Sequence, residues 1–290
     1  MDSLMTWLTK TSKTVYDTCA CGDAKPIVWL TNSTPARMLN LHRPSVFLLM
    51  LWPILWGFFS TASAEVGNIF MLIFLTIVLR AGSKLYNNAF GEDAAEETKQ
   101  TSLTILISLL VISLLSAYII GALTLFFTIL WILAFAAYPY ISRNTWWPQI
   151  VNGVMFGAFA VLIGQSASGE MSYNVPFLMA AAFFWVSVTE TLRAGTTLDV
   201  HDKLKIVQEF LGAGKYSFIS IYFALALVSL VIVGMTESLG GLYYASLMGA
   251  QALVTITYLA IQDEEEDIAC RTHRAISFAA LLITLGLALS

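Results

Sequence analysis

Asn88-Ala89-Phe90-Gly91-Glu92-Asp93-Ala94-Ala95-Glu96-Glu97 stands where a long apolar run, Asn68 to Leu85, gives out into polar sequence. Asn88, Glu92 and Glu96 recur every four residues, so on a continuing helix they lie along one face. Oxygen ligands stacked in that way hold Mg²⁺, and Mg²⁺ is the usual partner of a protein-bound diphosphate. Just before them, Arg80 and Lys84 bring two cations, again four residues apart, into the end of the apolar run. A cation inside a bilayer is costly and marks a functional position. The same residues also suit a solvated acidic loop flanked by two snorkelling cations. The stretch by itself leaves both readings open, and the rest of the chain has to choose.

The surroundings are those of a membrane protein. Of 290 residues 58% are hydrophobic and only 12% charged, with a mean hydropathy of +0.75, which excludes an ordinary soluble domain. A net charge of -4 gives no ground for a nucleic-acid partner. Cys19, Cys21 and Cys270 form no metal or disulfide framework. The Cys19-Ala20-Cys21 pair is too close for an unstrained bridge and reads as free thiols. Met1 to Lys10 lacks the basic start and apolar core of a cleavable signal, so none is expected.

After His42-Arg43-Pro44, apolar runs of about 20 residues, the length that crosses a hydrocarbon core, follow one another. They fall near 45–64, 67–87, 103–121, 123–140, 149–167, 175–198, 216–236, 241–261 and 274–290. Backbone polarity in lipid must be satisfied internally, so these spans are helices. The expectation is an all-α membrane protein: a cytoplasmic segment over 1–44 and a nine-helix transmembrane domain over 45–290.

The connections divide by charge. The amino terminus, the connections near 88–102, 141–148, 199–215 and 262–273, and the helix ends opening onto them carry all 15 Lys and Arg. The other side, near 64–67, 168–174 and 236–240, holds Glu65, Glu170 and Glu237 and no cation. By the positive-inside rule the charged side is cytoplasmic, with the endoplasmic reticulum as the default membrane. Asn32-Ser33-Thr34, a glycosylation sequon by pattern, is then expected to stay unmodified.

Nearly every chemically capable residue faces that side. Arg193-Ala-Gly-Thr-Thr-Leu-Asp199-Val-His201-Asp202-Lys203-Leu-Lys205 follows the sixth span. Asp199 and Asp202, three apart, share a helical face and suit a second Mg²⁺. Glu190 and Arg193, inside or at the end of that span, read most simply as a buried salt bridge. His201 and the run Asp263 to Asp267 read as solvated. Two acidic patches and a set of cations thus converge on one mouth, an arrangement for an anionic, metal-bound headgroup with an apolar tail in the bundle. The expected interior wall is aromatic: Trp52, Trp56, Phe59, Tyr118, Trp131, Tyr138, Phe156, Phe159, Trp185 and Tyr222, with Asn152 and Glu190. For any one of these aromatics, packing is the better reading.

From about residue 28 onward the chain resembles the UbiA superfamily of intramembrane prenyltransferases, which have nine helices and two aspartate-rich motifs. His42-Arg43-Pro44 with Leu51-Trp52-Pro53-Ile54-Leu55-Trp56-Gly57 resembles its first helix, and Arg80-Ala-Gly-Ser-Lys84-Leu-Tyr-Asn87 the approach to its first motif. Tyr138-Pro139, Arg143, Trp147-Pro148-Gln149 and Gly153 are similar to its fourth-to-fifth helix region. Asp199-Val-His201-Asp202-Lys203-Leu-Lys205 is similar to its second motif, and Tyr243-Tyr244-Ala245 fits its eighth helix. The resemblance implies Mg²⁺ on Asn88, Glu92, Glu96, Asp199 and Asp202. It implies a prenyl diphosphate held by Arg80, Lys84, Arg143, Lys203 and Lys205, in a chain embedded among membrane lipids.

Two departures bear on the reaction. The first motif carries Glu92 and Glu96 where the family has aspartates, and starting it at Asn87 instead would place Gly91 and Ala95 at the ligand positions. The basic stretch that follows the first motif in ubiquinone-type members is absent; only Thr98-Lys99-Gln100-Thr101 stands there. A shortened loop leaves less to hold a charged aromatic acceptor. The expectation is therefore the acceptor-free branch of the superfamily: a class I terpene cyclase that ionises farnesyl diphosphate and closes it to a sesquiterpene hydrocarbon. The alternative is transfer of the prenyl group to an aromatic acceptor. A third reading, a non-catalytic membrane scaffold, rests on the altered motifs.

Overall fold

The computed structural model describes the backbone of residues 44–61, 66–90, 96–144, 148–194, 215–261 and 268–290. Among the described residues there are nine helices and no strand. They are α1 (Pro44–Phe59), α2 (Val66–Phe90), α3 (Glu96–Ile120), α4 (Ala122–Asn144), α5, α6 (Val175–Ala194), α7 (Lys215–Thr236), α8 (Gly241–Ile261) and α9 (Ile268–Leu289). Helix α5 begins as Pro148–Asn152, passes through a π-helical turn, Gly153–Ala158, and continues as Phe159–Ala167. These match the nine expected spans in order.

Helix α5 is the axis of the bundle. Along Ile150–Ala167 72% of the residues are buried, against 22% for Ser102–Ile120 of α3, whose Ile107, Leu115 and Ile119 point outward. The cause is small side chains on both flanks. A Cβ on Gly164 would collide with the carbonyl oxygen of Ile54, and one on Gly57 with that of Val161, so α1 and α5 touch backbone to backbone. Gly153 and Gly157 press in the same way on Phe183 and Ala182 of α6. Lipid tails are as apolar as leucine, so close van der Waals contact of this kind holds membrane helices together.

Hydrogen bonds tie the remaining neighbours to the axis. Asn68 Nδ2 donates to the Ala167 carbonyl at 3.0 Å, Ser166 Oγ to Thr124 Oγ1 at 3.1 Å and Trp131 Nε1 to the Met155 carbonyl at 3.0 Å. Low residue numbers on α2 and α4 therefore meet high numbers on α5, and both helices run antiparallel to it. Helix α6 does too, since Gly153 meets Ser187 and Gly157 meets Ala182. The carboxyl ends of α2, α4 and α6 consequently gather around the start of α5. Trp185 against Phe223 (5.4 Å) and Tyr243 Oη donating to the Leu230 carbonyl (2.7 Å) carry the alternation on through α7 and α8.

The opposite end is closed by a clasp. Ser238 takes a left-handed conformation (φ 54°), and Leu239 N–H donates to the Gly234 carbonyl at 2.9 Å, so α7 ends in a Schellman turn with Glu237 as its last cap. A carboxylate is unfavourable at a helix carboxyl end. Here it turns instead to the start of α6, where one Glu237 oxygen accepts from both Ser172 Oγ and Asn174 Nδ2. Glu237→Ala removes both bonds and is expected to cost about 1–2 kcal/mol, as charge-assisted bonds at a half-buried site do. Glu237→Gln, which keeps an acceptor oxygen, should recover most of that. Thermal midpoints of the detergent-solubilised protein distinguish the two; equal losses for both variants would mean that the clasp does not act through its oxygen.

Candidate active site

The gathering of helix ends at the start of α5 creates the site. Helix α2 carries Arg80 into it, half-buried, with the guanidinium carbon 4.9 Å from the centre of the Phe156 ring. Ser83, one turn further, donates its hydroxyl to the Arg80 carbonyl at 2.8 Å. Phe156 belongs to the π turn. There Phe159 N–H reaches five residues back to the Val154 carbonyl instead of four, which releases the Met155 carbonyl for Trp131. Such single wide turns recur at functional sites.

Behind Phe156 stands a wall supplied by α4. Trp131, Phe135 and Tyr138, spaced four and three apart, share one helix face. Trp131 and Phe135 stack at 5.3 Å and 10°, Phe135 and Tyr138 at 6.0 Å and 8°. Phe156 meets Trp131 nearly edge-on at 6.0 Å. Tyr86 of α2 closes the side, its ring meeting Phe135 edge-on at 5.6 Å between centres and its hydroxyl donating to the Ala136 carbonyl at 2.9 Å. A guanidinium seated on an aromatic ring in this way offers a positive charge at the edge of an apolar, aromatic interior, which suits the carboxylate of an aromatic acid.

The residues expected from sequence distribute unevenly around this wall. Lys84 and Asn88 follow Arg80 on α2 at successive turns, Glu96 opens α3, Arg143 lies in the last turn of α4 and Glu190 in that of α6, all at the same end. Their side chains, and Glu92, Asp199, Asp202, Lys203 and Lys205 altogether, lie outside the described residues. The idea of one continuing helix for Asn88, Glu92 and Glu96 is corrected. Helix α2 is assigned to Phe90 and α3 from Glu96, and the two pack side by side, with Gly82 facing Leu106. Asn88 and Glu96 stand on consecutive helices, and Gly91, a weak helix former, falls between them. Among the described residues no group of three metal-ligating side chains occurs.

Among the expected interior residues, Phe59, Tyr138 and Asn152 are half-buried or nearly buried near the axis, and Phe156 is central. Trp56 is different. It has no exposed surface, its Nε1 donates to Thr284 Oγ1 at 3.0 Å, and its ring meets Trp185 at 5.6 Å. Both tryptophans are packing pillars between α1, α6 and α9 rather than the wall of a hollow. Tyr118, 67% exposed, faces outward from α3. Phe135 and Tyr86 went unrecognised in the sequence. The available signal was the spacing of Phe135 and Tyr138 from Trp131, hidden by the other aromatics of the same run.

The sequence pattern of the UbiA prenyltransferase family matches residues 50–282. The chain belongs to that family. A UbiA homologue from Aeropyrum pernix superimposes with a TM-score of 0.64 at 15% identity, covering 85% of this chain and 98% of that one. A UbiA homologue from Archaeoglobus fulgidus bound to Cd²⁺ superimposes with 0.60 at 17% identity, covering 86% and 97%. Among curated relatives, the 4-hydroxybenzoate octaprenyltransferase of Alkalilimnicola ehrlichii is 24% identical over 274 residues, 88% of this chain and 93% of that protein. The same-named protein of Chromohalobacter salexigens is 26% identical over 279 residues, 88% and 91%.

The family membership makes the chain a multi-pass integral membrane protein. Among the described residues, Ser102–Ile120, Ile150–Ala167 and Ile219–Thr236 are long and apolar enough to cross a membrane unaided. The relatives also overturn the cyclase expectation, because they carry the name of an acceptor-using transferase over nearly their whole length. That expectation rested on the missing basic stretch after Glu97. The loop is not the only source of a cation: Arg80, inside α2, already stands against an aromatic wall.

Proposed function

We propose that this UbiA-family protein transfers a prenyl group from a prenyl diphosphate to a ring carbon of an aromatic acid of the hydroxybenzoate type. The observation that carries this reading is the Arg80 guanidinium resting on Phe156, beside the Trp131–Phe135–Tyr138 stack. It is the pairing of charge and arene that such an acceptor needs. The shared name of the relatives supports it.

In this reading Asn88, Glu92, Glu96, Asp199 and Asp202, all hard oxygen donors, would hold Mg²⁺, an ion their chemistry fits. When bound, the metal neutralises the diphosphate and favours its departure. Lys84, Arg143, Lys203 and Lys205 add positive charge around the leaving group. Arg80 lies eight residues before Asn88, roughly 12 Å along the helix, and helical side chains lean toward the amino end. It therefore serves the acceptor carboxylate deeper in the bundle, not the diphosphate. The C–O bond to the diphosphate breaks with its electron pair leaving on oxygen, the ring carbon takes the prenyl carbon, and the ring proton passes to the released diphosphate. The charged mouth faces the cytoplasm by the positive-inside rule.

Membranes containing the protein, given prenyl diphosphate, Mg²⁺ and 4-hydroxybenzoate, should yield a prenylated arene. Diphosphate release with a hydrocarbon product and no label in the arene would sink the proposal. Arg80→Gln is expected to raise the KM for the arene roughly tenfold to a hundredfold, the worth of one charge-assisted bond. The KM for the prenyl diphosphate should barely move.

A further inference from the structure

The hydrogen bond between Trp131 and the π turn has no counterpart in the expected machinery, yet it sits directly behind Arg80. In an unbroken α-helix the Met155 carbonyl would accept from Phe159. Here Phe159 N–H goes to Val154, and the indole N–H of Trp131 takes up the Met155 oxygen at 3.0 Å. Trp131 and Met155 are both only 2% exposed, so water is no substitute partner for that oxygen. An unsatisfied buried carbonyl is costly, and the regular α-helical arrangement would recover its bond from Phe159. The indole thus compensates the wide turn for the bond it gives up.

The wide turn in turn sets where Phe156 points. Adding a residue to one turn rotates the side chains on its two sides relative to each other, by roughly 100° in a 3.6-residue helix. Phe156 lies within the turn, 6.0 Å from Trp131 on one side and under Arg80 on the other. Gly153 and Gly157 fix the opposite flank of the turn against α6, leaving the ring no freedom to follow a shift. We infer that Trp131 is a positioning residue: through the Met155 carbonyl it holds the π turn, and through Phe156 it seats the Arg80 guanidinium. The role of the seat in acceptor binding rests on the function proposed above; the seat itself does not.

Two measurements separate these. In the full-length protein in detergent, the Arg80 Nε–H resonance, identified by its loss in Arg80→Lys, should be displaced upfield by the Phe156 ring. Phe156→Leu abolishes that displacement. Trp131→Phe, which keeps an aromatic ring but lacks the N–H, should reduce it by at least half. If Trp131→Phe does not fold, β-(3-benzothienyl)alanine at position 131 replaces the N–H with sulfur at nearly constant volume and should do the same. An unchanged Arg80 resonance in the folded variant overturns the inference.

The kinetic arm is a double-mutant cycle. Trp131→Phe should raise the arene KM roughly fivefold to tenfold, the worth of one buried hydrogen bond, with kcat little changed. Combined with Arg80→Gln it should add nothing, because its effect passes through Arg80. Additive losses would overturn the inference, since a general packing defect behaves that way. Loss of the ring displacement in a protein that prenylates no arene would leave the positioning role standing and remove the proposed function.

Discussion

Gly164→Val yields little or no folded protein. The new Cβ would collide with the Ile54 carbonyl oxygen and crowd the Phe58 amide of α1, and both obstacles are backbone, which cannot rotate away. Overpacking ordinarily costs about 1–3 kcal/mol, and more where the neighbour cannot yield. Here α1 and α5 must part along their whole crossing. That also strips the Gln165–Ser60 hydrogen bond (3.3 Å) and loosens both core clusters, which meet on these two helices. A cost of roughly 3–5 kcal/mol is a large part of the total stability of a typical domain. Gly82→Ala is the control, since its Cβ would meet only Leu106 Cδ1 at an ordinary 3.7 Å. Fluorescence-detected size-exclusion profiles in detergent report the outcome. A monodisperse Gly164→Val peak at the wild-type position would show that the crossing is looser than these contacts require.

Asp199→Ala and Glu92→Ala are each expected to lower turnover roughly a thousandfold while the protein stays in the membrane, the scale on which lost electrostatic stabilisation of a leaving group is felt. Under the function proposed above, both variants remove a carboxylate that would hold Mg²⁺, and neither is one of the glycines at the α1–α5 and α5–α6 crossings that hold the bundle together. The Mg²⁺ concentration needed for half-maximal activity should rise in both. Glu92 has a second use. The first motif can start at Asn87 or Asn88, and only the second choice places carboxylates four and eight residues on. Normal turnover in Glu92→Ala would move the start to Asn87 and leave the metal to other acids.

The spans and the segregation of charge were legible because each depends on local composition alone. A stretch of about 20 apolar residues must become a helix in lipid wherever its neighbours lie. The ends of α2 and α3 were less so. Asn88 and Glu96 obey a helical spacing, but spacing does not reveal that they stand on two helices packed side by side. Tyr118 and Trp131 illustrate a different gap: both are aromatic residues in apolar runs, yet one is 67% exposed and the other 2%. In a membrane both faces of a helix are apolar, so periodicity carries no mark of which side is inside.

By itself, the sequence determined a nine-helix membrane bundle, its single charged end and its two acidic segments, since hydrophobic length and cation placement are properties of each segment. Only the tertiary structure decided that Arg80 rests on Phe156, across 76 residues of chain, because that contact needs a π turn in α5 and an indole from α4 to hold it. The acceptor site proposed here was therefore hidden from any reading of the loop after Glu97. A missing basic stretch is a local fact, whereas the cation that can replace it is delivered by the packing of three helices.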